Sequence, residues 1–217
     1  MKLPSAKRIP WRRRSVQRYV KRLLDIVIAL FGLLVLSPLI LSLLIIVRWR
    51  IGSPALFVQL RPGLNGRPFR MIKMRSMSSA CDSDGRLLPD EQRLTAFGRW
   101  LRSTSLDELP ELLNVLKGEM SLVGPRPLLM SYLELYDANQ ARRHEMPPGI
   151  TGWAAVNGRN MLSWNEKFQL DVWYIDHWSL SLDIKILCKT VFRVLKREGI
   201  SQSGHATIEV FRGPHST

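Results

Sequence analysis

Ile26 to Val47 is a run of 22 residues without a charge, and it limits what this chain can fold into more than any other feature. A straight helix of that length would extend about 33 Å, enough to span a bilayer. A secretory signal is disfavoured, because Arg48, Trp49 and Arg50 follow the run directly and no A-x-A cleavage site does. Ser37-Pro38 lies in its middle. Proline removes a helix hydrogen bond and clashes with the preceding turn, and a neighbouring serine can serve the groups so freed. Each half alone is roughly 17 Å, too short to cross. Lys/Arg residues flank both ends, with Lys7, Arg8, Arg12, Arg13, Arg14, Arg18, Lys21 and Arg22 before the run and Arg48, Arg50, Arg61, Arg67, Arg70, Lys73 and Arg75 after it. The positive-inside rule draws both flanks to the cytoplasm. Two readings follow: a proline-kinked transmembrane helix, or a re-entrant segment that enters and returns on one side, leaving both chain ends cytoplasmic.

The net charge of +14 comes entirely from this region, since residues 1–75 hold sixteen Lys/Arg and a single acid, Asp25. The rest of the chain is close to neutral. Basic residues that flank a lipid-soluble segment fit anionic headgroups, whereas a nucleic-acid reader carries its basic patch on the folded domain, so no nucleic-acid partner is expected. Ile9 to Tyr19 mixes Trp11, Val16 and Tyr19 with arginines, as an interfacial helix or a basic tail would. Cys81 and Cys188 show no CxxC spacing, and the four histidines show no metal-ligand spacing.

Beyond the apolar run the pattern reads as α+β. Ala55–Arg61 and Phe69–Arg75 read as two strands joined by a turn at Pro62-Gly63-Leu64-Asn65-Gly66, a hairpin with cations on one face. Ser78–Asp90 reads as a polar loop and Leu94–Leu101 as a short helix. Leu106, Leu109, Leu112, Leu113 and Leu116 recur at helical spacing, closed by Lys117-Gly118, with the start close before Pro110. Met120–Pro127 reads as a strand into a stiff turn, Leu128–Arg143 as helical, Ile150–Val156 as extended, and Trp164–Trp178 and Leu182–Lys196 as amphipathic helices. Periodicity is weak after about Gly199, compatible with disorder. The organisation expected is a basic N-terminal segment (1–22), a membrane helix-break-helix (23–50), a catalytic domain (51–199) and a C-terminal tail (200–217).

Two constellations carry chemistry. In Arg102-Ser-Thr-Ser-Leu-Asp107-Glu108-Leu-Pro110, two adjacent carboxylates stand at an expected helix start. Ser105 and Glu108 have capping-box spacing, which explains them structurally. The functional alternative is that one carboxylate attacks phosphorus and the other holds Mg²⁺, near Arg102 and the free N–H groups of the helix start. In Gly124-Pro125-Arg126-Pro127, two prolines fix the backbone around an arginine suited to a bidentate grip on phosphate; a turn with a solvent-facing arginine is the alternative. Lys73 and Arg75 are phosphate candidates or solvated charges. Trp173 and Trp178 are headgroup anchors or core.

These residues resemble a known family. KRLLDIVIAL with the following SP, the F-x-x-x-K-x-R-S-M of Phe69–Met77, LRSTSLDELPELLNVLKGEMSLVGPRP and WSLSLDIKIL are similar to the bacterial sugar transferases, monotopic phosphoglycosyl transferases, over about Arg18 to Glu198. The resemblance is to the family's minimal form, without the added spans and nucleotide-fold domain of larger relatives. It implies a re-entrant membrane helix broken at Ser37-Pro38 and a small cytoplasmic catalytic domain with a β-hairpin and interfacial amphipathic helices, placed at the bacterial inner membrane. It implies a UDP-sugar donor, a polyprenyl phosphate acceptor, Mg²⁺, Asp107 as nucleophile and Glu108 as metal ligand. Lys73, Arg102 and Arg126 fall on positions similar to phosphate- or nucleotide-contacting residues, and Asp171 on a late acidic position of the substrate site. The sugar is not specified, and a homo-oligomer is left open.

Overall fold

The computed structural model describes residues 15–158, 161–196 and 210–213. A 36-residue helix, α1 (Ser15–Arg50), leads into an antiparallel hairpin of β1 (Leu56–Pro62) and β2 (Pro68–Met74). Short helices α2 (Asp90–Arg93) and α3 (Ala96–Ser103) precede α4 (Glu111–Lys117). Strands β3 (Ser121–Val123) and β4 (Gly149–Thr151) pair in parallel, Ser121 with Gly149 and Val123 with Thr151. The chain ends in α5 (Trp153–Val156), α6 (Trp164–His177) and α7 (Leu180–Lys196). The α+β expectation holds.

The expected helix-break-helix does not appear as two pieces. α1 continues through Pro38. Pro38 has no N–H to offer the carbonyl of Leu34, and the Ser37 hydroxyl donates to that carbonyl instead, at 2.8 Å. Ser42 donates in the same way to the Pro38 carbonyl at 2.8 Å. Among the described residues α1 is the one helix long and apolar enough to cross a membrane.

One face of α1 packs on the rest of the protein along nearly its whole length. Lys21, Asp25, Ala29, Leu43 and Val47 are buried, and Gly32, Leu36 and Ile40 are partly buried between them. Steps of three and four residues keep such a stripe on one side of a 3.6-residue helix. The N-terminal half is held by polar bonds. Lys21 Nζ donates to Asp183 Oδ2 at 2.7 Å and to the Val123 carbonyl at 3.1 Å, and Asp25 accepts from the Leu122 N–H at 3.1 Å. Arg22 Nη2 donates to the Leu116 carbonyl, serving the open end of α4. The C-terminal half packs Leu43 and Val47 against Met74 and Leu101. The other faces leave Leu23, Phe31, Leu34 and Trp49 exposed, Trp49 by 86%.

The main core joins Ala29, Phe69, Met71, Val115, Met120, Val123, Tyr174, Trp178 and Ile186 from α1, the hairpin, α4, β3, α6 and α7. Trp178 is buried and donates to Asp183, and Trp173 stacks on Trp153 and His177, so both tryptophans belong to the packing rather than to a headgroup belt. Leu128–Arg143 forms two 3₁₀ segments, Met130–Leu135 and Gln140–Glu145, rather than an α-helix. Ile150–Val156 is only briefly extended before α5 begins. The hairpin is found within one residue of expectation at each end, and Gly118, at φ 85°, closes α4. Residues 1–14 and most of the 200–217 tail lie outside the described residues, but Phe211 is buried beside Tyr132 and Phe168.

Candidate active site

Asn114, fully buried on α4, fixes the hairpin to the helix. Its Nδ2 donates to the Arg70 carbonyl and to Glu119 Oε2, each at 2.7 Å, and its Oδ1 accepts from the Ile72 N–H at 3.1 Å. β2 is thereby set so that Lys73 reaches the start of α4. Lys73 Nζ lies 2.8 Å from Glu108 Oε1 and 3.0 Å from Glu111 Oε1. Glu111 is almost completely buried and shares this cation.

Arg126 meets the same Glu108 oxygen, with its side chain 49% exposed. Its turn is compact because glycines let three backbone segments touch. A Cβ on Gly124 would lie 2.3 Å from the Pro147 carbonyl, and one on Gly152 would lie 2.2 Å from the Gly124 carbonyl. Behind the turn, Arg143 Nη2 donates to the Arg126 carbonyl at 2.8 Å and to Asp171 Oδ2 at 2.7 Å, while Nη1 donates to the Tyr136 hydroxyl at 3.1 Å. Asp171 is therefore not beside the acidic pair; it is buried against Arg143 and acts on Arg126 from behind.

Asp107 and Glu108 lie on a 3₁₀ turn, Leu106–Glu108, ahead of Pro110 and α4. The capping box expected from Ser105 does not form: Ser105 sits at φ 57° and its side chain makes no cap bond. The box found is at Ser163 and Glu166, opening α6. The spacing at 105–108 was right, but Ser105 adopts a left-handed turn that aims its hydroxyl elsewhere. Arg102 reaches the site from α3, where its Nε donates to Ser76 Oγ at 2.9 Å. α3 can lie on that segment because residue 98 is glycine; a Cβ there would be 1.8 Å from the Ser76 carbonyl oxygen.

The adjacent carboxylates are driven apart electrostatically. Burial, then the negative charge of Glu108, pushes Asp107 up to about 6, against the pull of Lys73, Arg126 and Arg102. Burial also works to raise Glu108, but the charges and hydrogen bonds of Arg126 and Lys73 outweigh it and hold that carboxylate far below its ordinary value. Glu111 is pushed up to about 7 by burial, with Lys73 opposing. The result is an anchored, ionised Glu108 next to an Asp107 whose carboxylate accepts no hydrogen bond among the described residues. A weakly stabilised carboxylate among cations is suited to attack an anionic phosphorus centre.

For Mg²⁺, no group of three or more His, Cys, Asp or Glu is arranged to hold a metal among the described residues. Mg²⁺ at phosphate sites generally takes one or two carboxylates and completes its shell with substrate phosphates and water. Glu108 uses Oε1 for both cations, which leaves Oε2, with Asp107, as a hard-oxygen pair of the right kind. The residues fit such a partial site.

The structure thus brings Lys73, Arg102, Asp107, Glu108 and Arg126 together and sets Asp171 behind them. Sequence reasoning missed Glu111, Asn114 and Arg143. Glu111 had a signal, standing four residues after Asp107; Asn114 and Arg143 are placed mainly by partners distant in sequence, Arg70 and Ile72 for the first and Asp171 for the second.

The profile of a family described as bacterial sugar transferase matches residues 16–197. The chain is 60% identical over 194 residues to an uncharacterized sugar transferase, EpsL, of Bacillus subtilis strain 168, covering 89% of this chain and 96% of that protein. It is 41% identical over 199 residues to an undecaprenyl-phosphate galactose phosphotransferase of Salmonella typhimurium, covering 84% of this chain and 42% of that protein. It is 39% identical over 190 residues to a UDP-glucose:undecaprenyl-phosphate glucose-1-phosphate transferase of Escherichia coli K12, covering 82% and 41%. The chain thus spans about two-fifths of the length of the latter two relatives.

Proposed function

This chain belongs to the bacterial sugar transferase family, and we propose that it transfers a sugar 1-phosphate from a UDP-sugar to undecaprenyl (polyprenyl) phosphate, releasing UMP. The names of the Salmonella and Escherichia relatives support the reaction class. The observation that carries the mechanism is the split between neighbouring carboxylates, Glu108 held by Lys73 and Arg126 and Asp107 unheld.

An Asp107 oxygen attacks the β-phosphorus, which bears the sugar; the bond from that phosphorus to the bridging oxygen breaks, and UMP leaves with the electron pair. An oxygen of the polyprenyl phosphate then attacks the aspartyl-phosphosugar, the aspartyl bond breaks, and the Asp107 carboxylate returns. The product is a polyprenyl diphosphate-linked sugar, and the kinetics are ping-pong. Lys73 and Arg126 keep Glu108 ionised and in place, while Arg126 and Arg102 present positive charge to the phosphoryl oxygens. Mg²⁺ held by Glu108, with Asp107 beside it, would supply further charge neutralisation on the diphosphate.

The same reading puts the protein monotopically on the cytoplasmic face of the inner membrane, with α1 bending at Pro38, without a break in its helix, so that both its ends stay on that side. Two features support it. Basic residues flank the apolar run on both sides. The buried stripe of α1 continues on both sides of Pro38, so neither half leaves the domain. At that depth a lipid-tethered phosphate meets the acidic pair without leaving the bilayer.

The test is a UMP-release screen over several UDP-sugars with undecaprenyl phosphate and Mg²⁺. Wild-type protein releases UMP with at least one donor and shows a phosphosugar adduct by intact mass; Asp107→Asn shows neither yet unfolds like wild type. Full turnover by Asp107→Asn would remove the assigned nucleophile, and release of inorganic phosphate in place of UMP would remove the reaction.

A further inference from the structure

Arg61 carries a charge that its surroundings do not balance. It stands on β1, and the strand register places it opposite Phe69, on the hairpin face that also carries Gln59, Phe57 and Lys73. That face is turned toward α4 and the acidic cluster, as the Lys73 contacts show. Arg61 forms no ion pair among the described residues. Its Nη2 donates to the neutral Gln59 Oε1 at 2.7 Å, and its Nε is sealed from solvent without a hydrogen-bond partner. Burial, and then repulsion from Arg126, lowers its pKa; the opposing attraction comes from Tyr132, Glu111 and Tyr136.

This is an unfavourable place for a guanidinium in the resting protein. Arg61 is partly buried, and a partly buried cation without a carboxylate costs folding free energy, to which a second cation nearby adds. The other two arginines around the turn are satisfied: Arg126 by Glu108, and Arg143 by Asp171, Tyr136 and the Arg126 carbonyl. Glu111, the carboxylate that attracts Arg61, is already paired with Lys73. The fork of Arg61 is thus shaped to receive oxygen atoms and has one neutral amide to bind.

We propose that Arg61 is a substrate-contacting residue that takes a phosphoryl oxygen, forming with Arg126 a two-arginine clamp for a phosphate group at the edge of the acidic cluster. The proposal rests on the phosphosugar-transfer reading above and adds a residue to it. The phosphate can belong to the donor diphosphate or to the lipid-borne acceptor; both present the same tetrahedral anion.

The test pairs two readouts that a structural arginine would move together. Arg61→Met keeps the length and apolar stem but removes the charge. Its expected effect is an unchanged or raised melting temperature, because the repulsion from Arg126 is gone, together with a KM raised about 10- to 100-fold, the range of a lost charge-assisted hydrogen bond. Arg61→Lys should recover part of the KM and so excludes a folding defect. A KM rise confined to the UDP-sugar places the clamp on the donor, and one confined to undecaprenyl phosphate places it on the acceptor; either supports the assignment. Unchanged KM for both substrates, or a fall in melting temperature that fully accounts for lost activity, overturns it. Failure of wild-type protein to release UMP would instead defeat the parent reading.

Discussion

Replacing Asp171 by Asn tests whether this carboxylate holds the site from behind or touches substrate, as the family resemblance had implied. Arg143 and Asp171 have side chains 3% and 4% exposed, and two guanidinium nitrogens, Nε and Nη2, donate to the same Oδ2 at 3.2 and 2.7 Å. Removing one partner of a buried ion pair costs about 3–5 kcal/mol, because the other charge stays behind uncompensated. Asparagine retains one acceptor, which puts the expected loss near the lower end, about 3 kcal/mol. In a chain of this size each kcal/mol moves the melting temperature by roughly 2–4 °C, so a fall of roughly 6–12 °C is expected. Tryptophan fluorescence during thermal unfolding in nanodiscs would read it. The double variant Asp171→Leu, Arg143→Met should regain most of the lost stability, since an apolar pair of similar volume is often no worse than the ion pair. It should not regain turnover, because the Arg126 carbonyl has lost the donor that fixes its turn. An Asp171→Asn protein that melts like wild type but has a raised donor KM would refute this argument and return Asp171 to the substrate.

Three further outcomes follow from the geometry. Gly98→Ala sets a methyl 1.8 Å from the Ser76 carbonyl oxygen and must displace α3, so a loss of at least about 1–3 kcal/mol is expected, with activity falling further because Arg102 rides on that helix; unchanged melting would refute the contact. His144 is held at about 4, chiefly by burial and then by Arg143. It stays neutral when folded while its unfolded form takes a proton below about 6.5, so stability present above pH 6.5 should drain away by about 2–3 kcal/mol as pH falls toward 4. His144→Gln should flatten that limb of a denaturation-versus-pH series, and an unaltered slope would count against it. Tags on the N- and C-termini should both be reachable from the cytoplasmic side only, and periplasmic labelling of either would defeat the re-entrant arrangement.

Features set by neighbours in sequence were legible before the structure. The hairpin announced itself by short β-forming runs around Pro62–Gly66, α4 by its leucine spacing and Gly118, and the acidic pair by adjacency. What was misread depends on partners far along the chain. Ser105 and Glu108 have the spacing of a cap, but Lys73, 35 residues before Glu108, and Arg126, 18 after it, claim that carboxylate. Nothing local to Asp171 reveals its ion pair with Arg143, 28 positions away. Leu128–Arg143 has helical spacing, yet it forms two 3₁₀ turns in which Tyr132, Gln140 and Arg143 are buried. The apolar run revealed its lipid preference but not that one of its faces completes a protein core.

That shared face means the protein has no detachable anchor. A fragment starting after Arg50 would lose Ala29, Leu43 and Val47 from its interior and leave Asp183 without the ammonium of Lys21. Grafting the remainder onto an unrelated hydrophobic segment would restore residence at the lipid but not the missing wall. Solubilising such an enzyme by trimming it is thus a folding problem first, and any bilayer mimetic has to accommodate the helix and the globule as one object.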